Sequence, residues 1–129
     1  MTFENYAHLY PEYKFIFCGD DGQGDLLAGE MMTEKHSEKL IAVFIHRVAT
    51  RGRSLCKQSL SARGSKHLEG ASSWATQIED WESKNIYVTE TYVHSASIAC
   101  KLGLITQEAL WEVGEAALVE FDEIRQLQG

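Results

Sequence analysis

Residues 15–25, FIFCGDDGQGD, constrain this chain more than any other stretch. Phe15, Ile16, Phe17 and Cys18 form a continuous apolar run without polar alternation, the pattern of a strand covered on both faces in a parallel sheet. The run stops at Gly19 and gives way to an acidic, glycine-rich turn that ends at Asp25. In an open α/β sheet, ligands collect beyond the carboxyl ends of the strands, so the turn stands where such a fold would carry its site.

The flanking sequence supplies the rest of a unit. Phe3, Tyr6, Ala7, Leu9, Tyr10 and Tyr13 have a rough helical spacing that Pro11 interrupts, because the residue before a proline is pushed out of helical geometry. Beyond the turn, Asp25 is expected to cap a helix whose apolar face is Leu26, Leu27, Ala28, Met31 and Met32. A second apolar run, Leu40 to Ile45, follows His36 and Ser37. Strand, crossover helix and strand make a βαβ unit, which is almost always right-handed. The expected fold class is α/β, a partial Rossmann-like parallel sheet with flanking helices. A chain of 129 residues, 44% hydrophobic and 24% charged, suits one domain.

Residues 50–73 change character, being rich in glycine, serine, lysine and arginine, and read as a surface loop or insertion. A short helix is expected over Trp74–Trp81 and a third strand over Ile86-Tyr87-Val88. Tyr92, Ala96, Ala99 and Cys100 then repeat at helical spacing up to Gly103, a suitable C-terminal cap. Thr106 caps a last helix whose stripe is Leu110, Val113, Ala117, Phe121 and Ile124. Trp74, Trp81 and Trp111 are expected to pack against the sheet.

Charge and cysteine content exclude several classes. The net charge of −7 and pI near 5.2 argue against a broad surface for nucleic acid or anionic lipid. Cys18, Cys56 and Cys100 are odd in number and far apart, which favours reduced thiols and a cytoplasmic location over a disulfide framework. The first residues lack the basic and apolar regions of a secretory signal, and no apolar run is long enough to span a membrane.

Asp20, Asp21 and Asp25 are the candidate metal ligands. Three carboxylates within six residues repel one another unless a cation or protons compensate. Magnesium takes one or two carboxylates together with waters and phosphate oxygens, and the glycines let the backbone turn sharply around an ion. The spacing does not match a calcium-binding EF-hand loop, since Gly22 stands where that loop needs its second oxygen ligand. The same residue types also make an ordinary turn, and Asp25 would serve as a helix cap without any ion.

The histidines at 8, 36, 46, 67 and 94 show no zinc spacing. His46, at the carboxyl end of the second apolar run, and Arg47 beside it are candidates to meet a phosphate, against the more ordinary reading of a surface or core-satisfying histidine and a solvated arginine. Arg51, Arg53, Lys57, Arg63 and Lys66 extend that basic character, as a phosphate-binding or acidic-partner segment or as a solvated loop.

FIFCGDDGQGD resembles the last acidic motif of haloacid-dehalogenase-like (HAD) hydrolases, a Gly-Asp pair at a strand end followed by a second aspartate. The longer run from Tyr10-Pro11 through the Gly-Gln-x-Asp portion to LIAVFIHRV resembles the catalytic domain of phosphatidate phosphatases of the actin-patch-protein type. Thr91-Tyr92-Val93, Ala96, Gly103-Leu104-Ile105 and the final helix are similar to the C-terminal end of that domain. The resemblance implies that Asp20 and Asp25 help hold a catalytic Mg²⁺, with Asp21 in support and Gln23 shaping the loop. It also implies a phosphorylated small molecule or lipid phosphate as substrate.

The chain departs from that family in three respects. His46-Arg47 stand where the family commonly has Arg-Asp, residues 52–73 have no counterpart, and no Asp-x-Asp occurs anywhere, so the nucleophile motif is missing. Without a nucleophile no aspartyl-phosphate can form. The expectation is therefore the C-terminal portion of a Mg²⁺-dependent phosphatase domain, inactive alone, and the alternative is a non-catalytic remnant acting as an interaction module.

Overall fold

A computed structural model of the protein describes residues 2–22, 24–48 and 71–128, with side chains from residue 75 onward in the last stretch. Among the described residues the chain is mixed α/β with a small three-stranded parallel sheet. The loop expected over 50–73 lies outside the described residues except for its last three positions, which are helical. The chain forms two compact units, residues 1–88 and 89–129.

The first unit is built around the sheet. Helix α1 (Phe3–Leu9) is capped by Thr2, whose side chain accepts from the Asn5 N–H, and it ends before Pro11 as expected. Strand β1 (Phe15–Asp20) leads to helix α2 (Asp25–His36), and strand β2 (Leu40–His46) returns parallel to β1. Helix α3 (Ala71–Ser83) and strand β3 (Ile86–Thr89) complete the order β1-β2-β3. Asn85 makes the turn between them in the left-handed region, at φ 61°, a conformation in which asparagine is several-fold enriched among non-glycine residues.

Strand β1 differs from the reading of it as covered on both faces. Phe15, Phe17 and Gly19 are half-buried while Ile16, Cys18 and Asp20 are exposed, because β1 is an edge of the described sheet. Its ladder also runs past Gly19, pairing Asp20 with His46. Strand β2 is the covered one: Ala42, Val43, Phe44 and Ile45 are all buried.

The core gathers Leu26, Leu40, Val43, Ile45, Trp81 and Ile86, with Phe3, Phe15, Phe17 and Met32 packed against it. Helix α2 approaches the sheet closely where glycine allows it. A Cβ on Gly29 would lie 2.7 Å from Val43 Cγ1 and 3.6 Å from Phe17, so α2 can sit on β1 and β2 only with glycine there.

The second unit pairs helix α4 (Tyr92–Lys101) with helix α5 (Gln107–Gln128). Thr91 caps α4 through the His94 N–H, and Gly103, at φ 76°, turns the chain out of it. Thr106 Oγ1 accepts from the Ala109 N–H, as expected of the residue opening α5. The predicted stripe is covered only in its first half: Leu110, Val113 and Ala117 are half-buried, whereas Phe121 and Ile124 are exposed. Helix α5 is 22 residues long against 10 for α4, so the stripe outruns its cover. Trp111 is 71% exposed and donates to Glu115, which corrects its expected packing on the sheet.

Candidate functional site

The acidic loop is shaped by its own side chains. Asp25 Oδ2 accepts from the Asp20 N–H at 3.0 Å, and Asp20 Oδ1 accepts from the Gly22 N–H at 2.8 Å. Asp21 lies inward, 4% exposed, with Oδ1 accepting from the Val48 N–H at 3.0 Å and its own N–H donating to the His46 carbonyl at 3.1 Å. Two ties thus fasten Asp21 to the end of β2.

Asp25 does not cap α2 as expected. It is the first helical residue, and the position before it is Gly24 at φ 79°, which makes no side-chain capping bond. The left-handed turn at Gly24 frees the Asp25 carboxylate to reach back over β1 instead. It comes so close that a Cβ on Gly19 would meet Asp25 Cβ at 2.6 Å and Oδ2 at 2.7 Å. Glycine at 19 is therefore what lets a carboxylate lie on the strand end. Gln23 lies outside the described residues.

The structure thus ties Asp25 to the backbone of Asp20 at the strand end, and Asp21 to the backbone of His46 and Val48, with Arg47 between those two in sequence. Asp20 is exposed, Asp25 half-buried and Asp21 buried, so one loop carries three carboxylates in three settings. His46 and Arg47 are half-buried. Among the described residues, no three His, Cys, Asp or Glu side chains come together as a ready-made ion cage.

Glu30 was not singled out by the sequence. It is 7% exposed inside α2 and accepts from Trp81 Nε1 at 2.8 Å, across a separation of 51 positions. A cavity of about 660 Å³ opens beside it, bounded by Thr33, Glu34, Ser37, Ser83 and Lys84. The periodicity of α2 hinted at an apolar face only, and no local signal marks a glutamate for burial by a distant indole.

No protein-family model, curated protein or solved structure matches the chain. Among the described residues, no helix is long and apolar enough to cross a membrane.

Proposed function

We propose that residues 15–48 form the metal-binding wall of a magnesium-dependent, haloacid-dehalogenase-like phosphohydrolase site acting on a phosphomonoester such as a lipid phosphate. One observation carries the reading: at the carboxyl end of a parallel strand a half-buried Asp25 lies over Gly19 and accepts from the N–H of an exposed Asp20. Magnesium needs only one or two protein carboxylates, its other positions being filled by water and phosphate oxygens, so Asp20 and Asp25 suffice in number. Each of the two carboxylates uses a single oxygen for a backbone N–H, which leaves lone pairs for an ion.

In this reading Asp20 and Asp25 hold the ion, and Asp21 keeps the loop fastened to β2. His46 and Arg47, at the end of the neighbouring strand, add donors for phosphate oxygens. A magnesium ion in such a site neutralises the phosphoryl oxygens during transfer. The 129 residues contain no Asp-x-Asp, so an aspartyl nucleophile has to come from other residues, and this chain alone is expected to turn nothing over.

A thermal-shift titration with Mg²⁺ tests the site: stabilisation at millimolar metal that disappears in Asp20→Asn supports it. No shift at any metal concentration counts against it. Hydrolysis of a generic phosphomonoester by the chain alone, lost in Asp20→Asn, would overturn the inactive half of the reading.

A second reading is a non-catalytic remnant that keeps the fold as an interaction module. It is favoured by the same hydrogen bonds, since the loop closes on itself and on β2 without needing an ion. A folded chain indifferent to Mg²⁺ decides for it.

A further inference from the structure

We propose that the outer edge of β1 pairs antiparallel with β1 of a second copy of this chain, centred on Phe17. The inference rests on the strand edge and on a free Asp20 carboxylate, so it does not depend on the metal site, and an ion bound at Asp20 would oppose it.

Backbone direction defines the edge. The Phe15 N–H donates to the Lys39 carbonyl at 2.7 Å and the Asp21 N–H to the His46 carbonyl, so odd-numbered residues bond to β2. By the strand's alternation, Ile16, Cys18 and Asp20 turn their backbone groups outward. The Asp20 N–H is taken by Asp25, which ends the edge at the loop. At Ile16 and Cys18 the outward groups meet no acceptor or donor among the described residues.

Edge strands are ordinarily protected by lysine, proline, a bulge or brevity. Here Lys14 precedes the strand and the β1–β2 register shifts between Phe15 and Ile16, which leaves Ile16-Phe17-Cys18, with Ile16 44% exposed, as the stretch open to another strand.

The charges at either end specify which strand. Outward residues must face outward residues, which leaves three two-fold registers. Pairing 16 with 16 sets Glu12 towards Asp20, and pairing 18 with 18 sets Ile16 against Asp20. Pairing 16 with 18 places each Lys14 opposite the other copy's Asp20, and Phe17 opposite Phe17. Opposite charges and aromatic pairs directly across an antiparallel ladder are the favourable ones. In this register both 16–18 pairs exchange their N–H···O bonds, and two lysines approach the two acidic loops.

Sedimentation of the full chain under reducing conditions tests the pairing. A concentration-dependent dimer at low salt, weakened at high salt, is expected. Lys14→Glu should raise its dissociation constant about tenfold by setting like charges opposite at both ends. Ile16→Pro removes an outward N–H without touching the β1–β2 ladder, and proline is tolerated on an edge, so it should abolish the dimer while Trp81 stays buried. If Ile16→Pro fails to fold, Lys14→Glu decides. A chain that is monomeric at every concentration overturns the proposal. So does a dimer that ignores both changes and dissociates on Phe121→Glu, which would place the interface on α5.

Discussion

The carboxylate of Asp25 occupies the space that any side chain on Gly19 would need, with Oδ2 only 2.7 Å from an ideal Cβ there. Gly19→Ala must push Asp25 off the Asp20 N–H, because the clash involves Asp25 Cβ as well as its mobile end. Overpacking and the lost bond should together destabilise the fold by about 1–3 kcal/mol. Urea unfolding of Gly19→Ala, Asp25→Gly and the double variant checks the cause, since only glycine at 25 also removes the Cβ that clashes. If the clash is responsible, the double variant loses clearly less than the sum of the two single losses.

The strand end and its acidic loop were legible in the sequence because an apolar run and a Gly-Asp turn are local signals. The role of Asp25 was not, since it depends on the left-handed turn at Gly24, which turns a capping residue into one that reaches back. Trp81 and Trp111 look alike in sequence, yet one is buried in the core and the other is exposed. Trp81 stands on the core-facing side of α3, whereas Trp111 stands beside the half-buried stripe of Leu110, Val113 and Ala117 on α5 and off it. Phe121 and Ile124 fail for another reason, since they continue a core stripe on a helix longer than its cover.

Gly29 and Gly114 are both helical glycines with opposite prospects. Alanine gains about 1 kcal/mol over glycine in a helix interior. At Gly114 nothing lies within 4 Å of the added Cβ, so Gly114→Ala should stabilise by nearly that amount. At Gly29 the Cβ would meet Val43, itself buried, at 2.7 Å, and a cost of about 1–3 kcal/mol for overpacking outweighs the gain. Thermal unfolding of the two variants should therefore move in opposite directions. A Gly29→Ala protein more stable than the parent would show that α2 can lift from β2 freely.

The Glu30–Trp81 hydrogen bond ties α2 to α3 inside the core of the first unit. Trp81→Phe keeps most of the apolar volume and removes the indole N–H, so the change isolates the polar part of the contact. A buried hydrogen bond to a carboxyl group contributes about 1–3 kcal/mol. The loss in Trp81→Phe should shrink when Glu30 is also replaced by leucine, since the buried carboxyl is then gone. Equal losses in both backgrounds would mean that packing, not the hydrogen bond, is what Trp81 supplies.

Cys18 is solvent-accessible on β1, yet partial burial pushes its thiol above the ordinary value of 9.0 by disfavouring the charged thiolate. Alkylation proceeds through the thiolate, so at neutral pH Cys18 should react more slowly in the folded chain than after denaturation. The sign for stability follows from the same shift. Folding favours the neutral thiol, so the contribution is fully present below the unfolded pKa and is lost as pH rises through the higher folded value. Iodoacetamide rates measured against pH should therefore show a higher midpoint for folded Cys18 than for the denatured chain, and an equal or lower one would contradict the desolvation of this edge.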